Sequence, residues 1–350
     1  MMLRSRVPGK AVLLGEYAVT DGLPAIAMAV DRAAELTLCP CAAEASQLEA
    51  RQVLQEAVAF RVGDRGGLAW DRDCEGWDKI AWTAALIDRI IDFLDPAEIP
   101  PFRLSIDTSE LYIDRSGRRV KLGLGSSSAI TVGLYQVLRA QLRGPEVLAG
   151  DELLAEVLPI YRAAQQGYGS GIDLATSIHG GLIEFSNDHG RVATRSHPWP
   201  SGLLIDFAWT GRASSTPKLL ARYRQWQSER PEQAADWHAL AGRIMAEAQQ
   251  ALQDDEADSL VRLIGAYGRG MSTIGSLMNI DLTPATHMAI MQQAERLGLS
   301  AKPSGAGVGD LALIAGTSED SMNAMRAWMA SNQIARVAMQ PFDQGALAAP

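Results

Sequence analysis

Lys121-Leu122-Gly123-Leu124-Gly125-Ser126-Ser127-Ser128-Ala129 is the stretch on which the reading of this chain turns. Two glycines and three serines stand before an apolar run, Ile130 to Leu142, in which Val132, Tyr135 and Leu138 recur at helical spacing. Serine is a favoured helix N-cap, and a backbone without Cβ atoms can come close to a ligand. A helix N-terminus offers unpaired N–H groups and a partial positive charge. Together these features predict an anion site, most often one for phosphate. Taken alone, the stretch is equally a Gly-Ser turn that only caps a helix, so its neighbours along the chain decide.

At 350 residues the chain is long enough for two domains. Its net charge is −9, which disfavours nucleic acid and anionic membranes as partners because both need a basic footprint. An anionic substrate remains open, provided that its positive groups are local. No run reaches the ~18 apolar residues of a membrane-spanning helix, and the N-terminus lacks the apolar segment of a signal peptide. Cys39, Cys41 and Cys74 have no zinc spacing and read as reduced thiols of a cytoplasmic protein.

Outward from the Gly-Ser stretch, apolar runs at Ala11–Val19, Ala25–Val30 and Ala34–Cys39 predict strands, and residues 44–75 read as irregular around Gly63, Gly66 and Gly67. Helical spacing covers Trp77–Leu94, and Phe102–Asp107 alternates like a half-buried strand. Further helices are expected at 146–161, 219–227, 234–252, 259–277, 283–297 and 318–332. Strands are expected at 182–185, 203–209 and 311–315, with a last one at Val337–Met339. The mixture is α+β. Pro198–Pro200 marks the expected boundary between domains at 1–197 and 198–350.

Several phosphate and hydrolase chemistries are excluded by context. Gly305-x-Gly307-x-Gly309 follows a helix and opens a strand, the reverse of a dinucleotide fingerprint. There is no Walker loop, no Gly-x-Ser-x-Gly elbow and no His-Glu-x-x-His. The five histidines are scattered and read as structural or surface residues.

As a set, three stretches resemble the motifs of the GHMP kinases. Val7-Pro8-Gly9-Lys10-x3-Leu14-Gly15-Glu16-Tyr17-Ala18-Val19 is similar to the first, Gly123-Leu124-Gly125-Ser126-Ser127 to the second, and Lys302-Pro303-Ser304-Gly305-Ala306-Gly307-x-Gly309-Asp310 to the third. Their order and spacing agree over nearly the whole chain. Within the superfamily, the phosphomevalonate kinase branch is resembled most, through Lys121, Ala164-Gln165-x-Gly167-x-Gly169-Ser170-Gly171-x-Asp173, Trp209-Thr210-Gly211-x-Ala213-Ser214-Ser215-Thr216 and Lys302-Pro303-Ser304. Two positions depart from the family pattern. Val308 stands where a glycine is usual, and no Asp or Glu lies between Glu156 and Asp173, where mevalonate kinases carry a metal-binding glutamate.

The resemblance implies a two-domain α+β fold. Its N-terminal domain is like the second domain of ribosomal protein S5, its C-terminal domain is ferredoxin-like, and ATP with Mg²⁺ lies between them. Lys121, Gly123, Leu124, Gly125, Ser126, Ser127 and Ser128 are then the ATP site, with Ser127 the hydroxyl at the metal. Asp173 is the candidate base and Lys10 its orienting cation. Lys10, Glu16, Tyr17, Ser170, Gly171, Arg212, Lys302, Ser304, Gly305, Ala306 and Gly307 are the candidate substrate residues, with the third motif as a loop closing over the site. The implied reaction converts 5-phosphomevalonate to its diphosphate in a monomer or homodimer. Alternatives are mevalonate kinase, another small-alcohol kinase, more distantly a related decarboxylase, or a catalytically silent ligand-binding protein.

Overall fold

A computed structural model describes residues 2–62, 67–115, 117–144, 146–165, 167, 169–188, 190–211 and 216–349. Two long antiparallel strands form its base. β1 (Leu3–Leu14) pairs with β2 (Ala25–Pro40) from Leu3 opposite Leu38 to Leu14 opposite Ile26. Val7–Leu14 and Ala25–Val30 are buried at every position, which is why the apolar stretches Ala11–Leu14 and Ala25–Val30 do not alternate. Gly15 turns the chain at φ +105°, and a Cβ there would lie 2.4 Å from that of Ala25.

Three strands replace the irregular structure expected over 44–75: β3 (Ser46–Glu49), β4 (Val58–Val62) and β5 (Leu68–Trp70). They are too short to signal themselves by periodicity. Sheet pairing and the stack of Phe60 on Trp70, centroids 4.3 Å apart, hold them. Helix α1 (Trp77–Leu94), β6 (Phe102–Asp107), the hairpin of β7 (Tyr112–Arg115) and β8 (Arg118–Lys121), and helices α2 (Ser126–Arg143), α3 (Gly150–Ala164) and α4 (Ile172–His179) follow. β9 (Leu182–Asp188) and β10 (Arg191–His197) complete the first half. The sheet runs β10-β9-β2-β6-β3-β4-β5, with β9 and β6 sharing one edge of β2 and β1 taking the other. α2 packs on β1 and β2. It comes close because Gly133 faces Leu36: a Cβ there would fall 2.3 Å from Leu36 Cδ1.

The second half holds β11 (Leu204–Trp209), α5 (Thr216–Glu229), α6 (Pro231–Gln253), α7 (Ala257–Leu277), α8 (Ala285–Arg296), β12 (Ser300–Ser304), β13 (Leu311–Gly316), α9 (Glu319–Ser331) and β14 (Ala335–Arg336). Its antiparallel sheet has the order β12-β13-β11-β14, which is a ferredoxin-like arrangement. Ile290 and Ala294 of α8 and Met322, Met325 and Met329 of α9 cover one face. α7 lies against β12, β13 and β1 and so joins the two halves.

The end of the chain differs from expectation. In place of a last strand at Val337–Met339, the chain passes β14 and returns as β15 (Leu347–Ala349), which pairs with Arg4–Arg6 of β1. On the way Phe342 N–H donates to Ala29 O (3.0 Å) and Phe342 O accepts from Gly181 N–H (2.8 Å). The sheet changes between His197 and Leu204, at the proline-marked segment, while this tail crosses back. No helix among the described residues is long and apolar enough to cross a membrane.

Candidate active site

Two helix N-termini and the middle of β1 converge on one point. Lys10 N–H donates to Leu124 O (3.0 Å), which straps the Gly-Ser loop to β1. The Lys10 stem then passes beneath Gly125. A Cβ on that glycine, which sits at φ +78°, would lie 3.3 Å from Lys10 Cε. α2 starts immediately afterwards. Ser128 Oγ donates to Gly125 O (2.6 Å) and closes the turn, while Ser127 is only half-buried. Opposite, Gly171 at φ +96° precedes α4 and puts Asp173 in its first turn. Asp173 Oδ1 is 3.2 Å from Lys10 Nζ. The lysine is 8% exposed and the carboxylate 30%, so the pair is largely desolvated yet open on one side.

This pair lies in a cavity of about 590 Å³. Ser126, Ser127, Tyr161, Gly169, Ser170 and Gly171 line the part around it. Ala50, Val53, Ile80, Ile106 and Tyr112 line an apolar arm, and Tyr17, Thr216, Leu220, Gly305 and Ala306 line the side facing the second half. Lys121 also lines the cavity and is exposed to solvent, with protein crowding part of it. That crowding lowers the pKa of its ammonium. Asp310 opposes the shift, Lys10 adds to it and Asp173 opposes it.

A second charged pair sits behind the cavity wall. Lys302 is fully buried on β12 and ion-pairs with Glu16 at the end of the first motif. Lys302 Nζ also donates to Pro303 O (2.7 Å), and Glu16 Oε1 accepts from Gly305 N–H (3.2 Å). Burial lowers the lysine pKa, and Glu16 restores part of it. Tyr267 OH donates to Glu16 O (2.7 Å), and Tyr17 OH, itself almost fully buried, donates to Ala306 O. The first and third motifs are thus locked together through buried polar contacts.

No protein-family model matches the chain. Two curated relatives align with nearly all of it. A phosphomevalonate kinase of Streptomyces sp. (strain CL190) is 28% identical over 92% of this chain and 92% of its own. A mevalonate kinase of Thermococcus onnurineus is 26% identical over 88% and 87%. Among solved structures, a Lin0012 protein from Listeria innocua superposes with a TM-score of 0.85 at 22% identity, covering 100% and 99%. A Streptococcus pneumoniae phosphomevalonate kinase, in complex with phosphomevalonate and AMPPNP, does so with a TM-score of 0.75 at 16% identity, covering 97% and 99%. Over nearly its whole length the chain is similar to kinases of the GHMP superfamily.

The expected site residues fall into three groups. Lys10, Glu16, Tyr17, Lys121, Ser126, Ser127, Ser170, Gly171, Asp173, Gly305 and Ala306 all line the one cavity. Gly123, Leu124, Gly125 and Ser128 shape the loop beside it: Leu124 is buried, and a Cβ on Gly123 would meet the Asp310 carboxylate at 2.7 Å. The third group departs from expectation. Lys302 and Ser304 are not on a loop closing over the site but on β12, paired with Leu313 and Leu311 of β13. Lys302 makes no approach to solvent, because Glu16 takes its charge inside the protein. Gly307 packs on Leu282 rather than facing the cavity; a Cβ there would lie 2.7 Å from Leu282 O. Arg212 lies outside the described residues, as do Ser214 and Ser215.

The structure also brings in residues that the motifs did not mark. Tyr161 of α3 lines the cavity beside Asp173, Trp82 of α1 lies near it with Nε1 donating to Ala164 O (3.3 Å), and Lys79 and Thr108 face the apolar arm. Tyr161 stands six residues before Gly167 at the end of an amphipathic helix, which is the one sequence signal that it enters the site.

Proposed function

We propose that this chain is a GHMP kinase that transfers the γ-phosphoryl group of ATP to 5-phosphomevalonate, giving ADP and 5-diphosphomevalonate. The observation that carries the reading is the desolvated Lys10–Asp173 pair, 3.2 Å apart at the meeting of two helix N-termini. The first of the curated relatives, 28% identical over 92% of both chains, is a phosphomevalonate kinase and supports the choice of acceptor. Mevalonate is the alternative acceptor, from the 26% identical relative.

Phosphoryl transfer needs charge neutralisation and alignment more than covalent help. The N–H groups at the start of α2 and the serine hydroxyls of the Gly-Ser loop receive the nucleotide phosphates, and the apolar arm takes the base. Among the described residues no group of three or more His, Cys, Asp or Glu is poised for a metal. The donors present, Ser127 Oγ and the Asp173 carboxylate, fit Mg²⁺ that arrives on the nucleotide, since this ion keeps waters and substrate phosphates as ligands. It would supply charge neutralisation between the phosphates. Lys10 draws the acceptor phosphate to the same point and spreads the charge that develops there. Asp173 orients Lys10 and takes the proton left on the acceptor oxygen. The cytoplasm, where ATP is available, is the setting that this chemistry requires.

The test is ADP release with Mg²⁺-ATP in the presence of phosphomevalonate, mevalonate, galactose or homoserine, for the wild type and Asp173→Asn. Turnover with phosphomevalonate alone, reduced about 10²-fold in the variant, is the expected result. Turnover with mevalonate alone moves the enzyme to the alternative acceptor. ATP binding with no acceptor-stimulated ADP release would leave a silent binder.

A further inference from the structure

Tyr161 is the polar group that α3 offers to the cavity. No Asp or Glu occurs between Glu156 and Asp173, so that helix end and the turn after it supply no carboxylate. Tyr161 is 7% exposed, and its hydroxyl stands 3.5 Å from Ser127 Oγ across the mouth of the Gly-Ser loop. The ring is held in place by the structure around it. A Cβ on Gly169 would lie 3.8 Å from Tyr161 Cε1, Trp82 Nε1 holds the end of the helix at Ala164 O, and Gln165 N–H donates to Tyr161 O (2.9 Å). The phenol is thus fixed, whereas the serine hydroxyl is free to turn at the first turn of α2.

A hydroxyl that serves a phosphate site must keep its oxygen or its proton aimed at the ligand. At 3.5 Å the two groups are at the outer limit of a hydrogen bond, and catalytic hydrogen bonds that are long in a ligand-free site often shorten in the bound complex. Burial and the neighbouring Asp173 raise the Tyr161 pKa, so the group stays neutral and acts as a hydrogen-bond partner, not as a charge. We propose that Tyr161 is a positioning residue that holds the Ser127 hydroxyl toward the triphosphate of the bound nucleotide. This rests on the kinase reading only in that a nucleotide occupies the cavity. It is independent of which acceptor is used.

Tyr161→Phe removes one oxygen and leaves the ring that packs the site. The experiment is calorimetric titration of the wild type, Tyr161→Phe, Ser127→Ala and the double variant with a non-hydrolysable ATP analogue and Mg²⁺, together with kcat on the acceptor that the wild type uses. Each single variant is expected to bind the analogue about 5- to 10-fold more weakly, the range of one hydrogen bond. The double variant should bind no worse than Ser127→Ala, and the melting temperature of Tyr161→Phe should stay near that of the wild type. Unchanged binding in Tyr161→Phe, single effects that multiply in the double variant, or a change in melting temperature alone would overturn the proposal. So would a wild type that fails to bind the analogue. A wild type that binds the analogue but turns over no acceptor removes the proposed reaction and leaves the Tyr161 result to be read from binding.

Discussion

His287 is a fully buried imidazole on α8, and neither ring nitrogen has a well-formed hydrogen bond among the described residues. Burial lowers its pKa to about 4, the Leu311 backbone opposing this weakly and the Lys302 charge adding to it. The folded protein therefore keeps the ring neutral where the unfolded chain, with a histidine pKa near 6.5, takes up a proton. Unfolding then binds a proton between about pH 6.5 and 4, so stability falls as the pH drops through that window. The shift corresponds to roughly 3 kcal/mol. His287→Leu should lose about that much less stability between pH 7 and 4 than the wild type, read from denaturant midpoints along the pH series. Parallel acid limbs would count against a neutral buried ring. Val308 shows the same scale in the backbone. It stands where the family motif has a glycine and keeps the left-handed conformation, φ +68°, that a glycine would take freely. A β-branched residue there costs about 1–2 kcal/mol, and the hydrogen bond of Val308 N–H to Leu282 O (2.8 Å) holds it.

At the scale of elements, the family resemblance of the third motif implies a loop over the site from Lys302 onward, whereas Ser300–Ser304 form the strand β12. What makes it a strand is its pairing with β13 and the insertion of Lys302 behind the end of β1. Removing one member of a buried pair leaves an uncompensated charge, at about 3–5 kcal/mol, whereas removing both is close to neutral. Lys302→Met should accordingly be strongly destabilised, and Lys302→Met with Glu16→Gln should recover most of the loss in a denaturation series. Equal stability of the single and double variants would mean that the pair does not act as a unit. The Gly-Ser stretch, by contrast, was legible: the serines, the glycines and the helical spacing after them correctly place a helix start, found at Ser126. β3, β4 and β5 were not legible, since strands of three to five residues on one side of a sheet carry little periodic signal.

For the whole molecule, the tail is the connection that no local pattern announces. Residues 340–349 run beside β2 and α4 before β15 pairs with β1. The approach is tight: a Cβ on Gly345 would lie 1.9 Å from Ile178 O, and one on Gly180 would lie 2.3 Å from the Gln344 backbone. α4 carries Asp173 at its other end. Deletion of residues 341–350 should lower the melting temperature by several degrees, the effect of a loss of a few kcal/mol in a chain of this size, and should raise hydrogen exchange in α4. Unchanged exchange in α4 would show that the tail is only an edge strand.

The residues themselves determined the α+β class and the helix start at Ser126, and they suggested the chemistry proposed for Lys10, Ser127 and Asp173, because those signals are local: glycines that allow left-handed turns, serines that cap, apolar spacing that defines a face. Tertiary structure alone decided that Lys302 belongs to Glu16 rather than to a ligand, that Tyr161 stands beside Ser127, and that the tail crosses back to the first sheet. Burial and pairing depend on which distant segments meet, and no stretch of sequence carries the position of its partner.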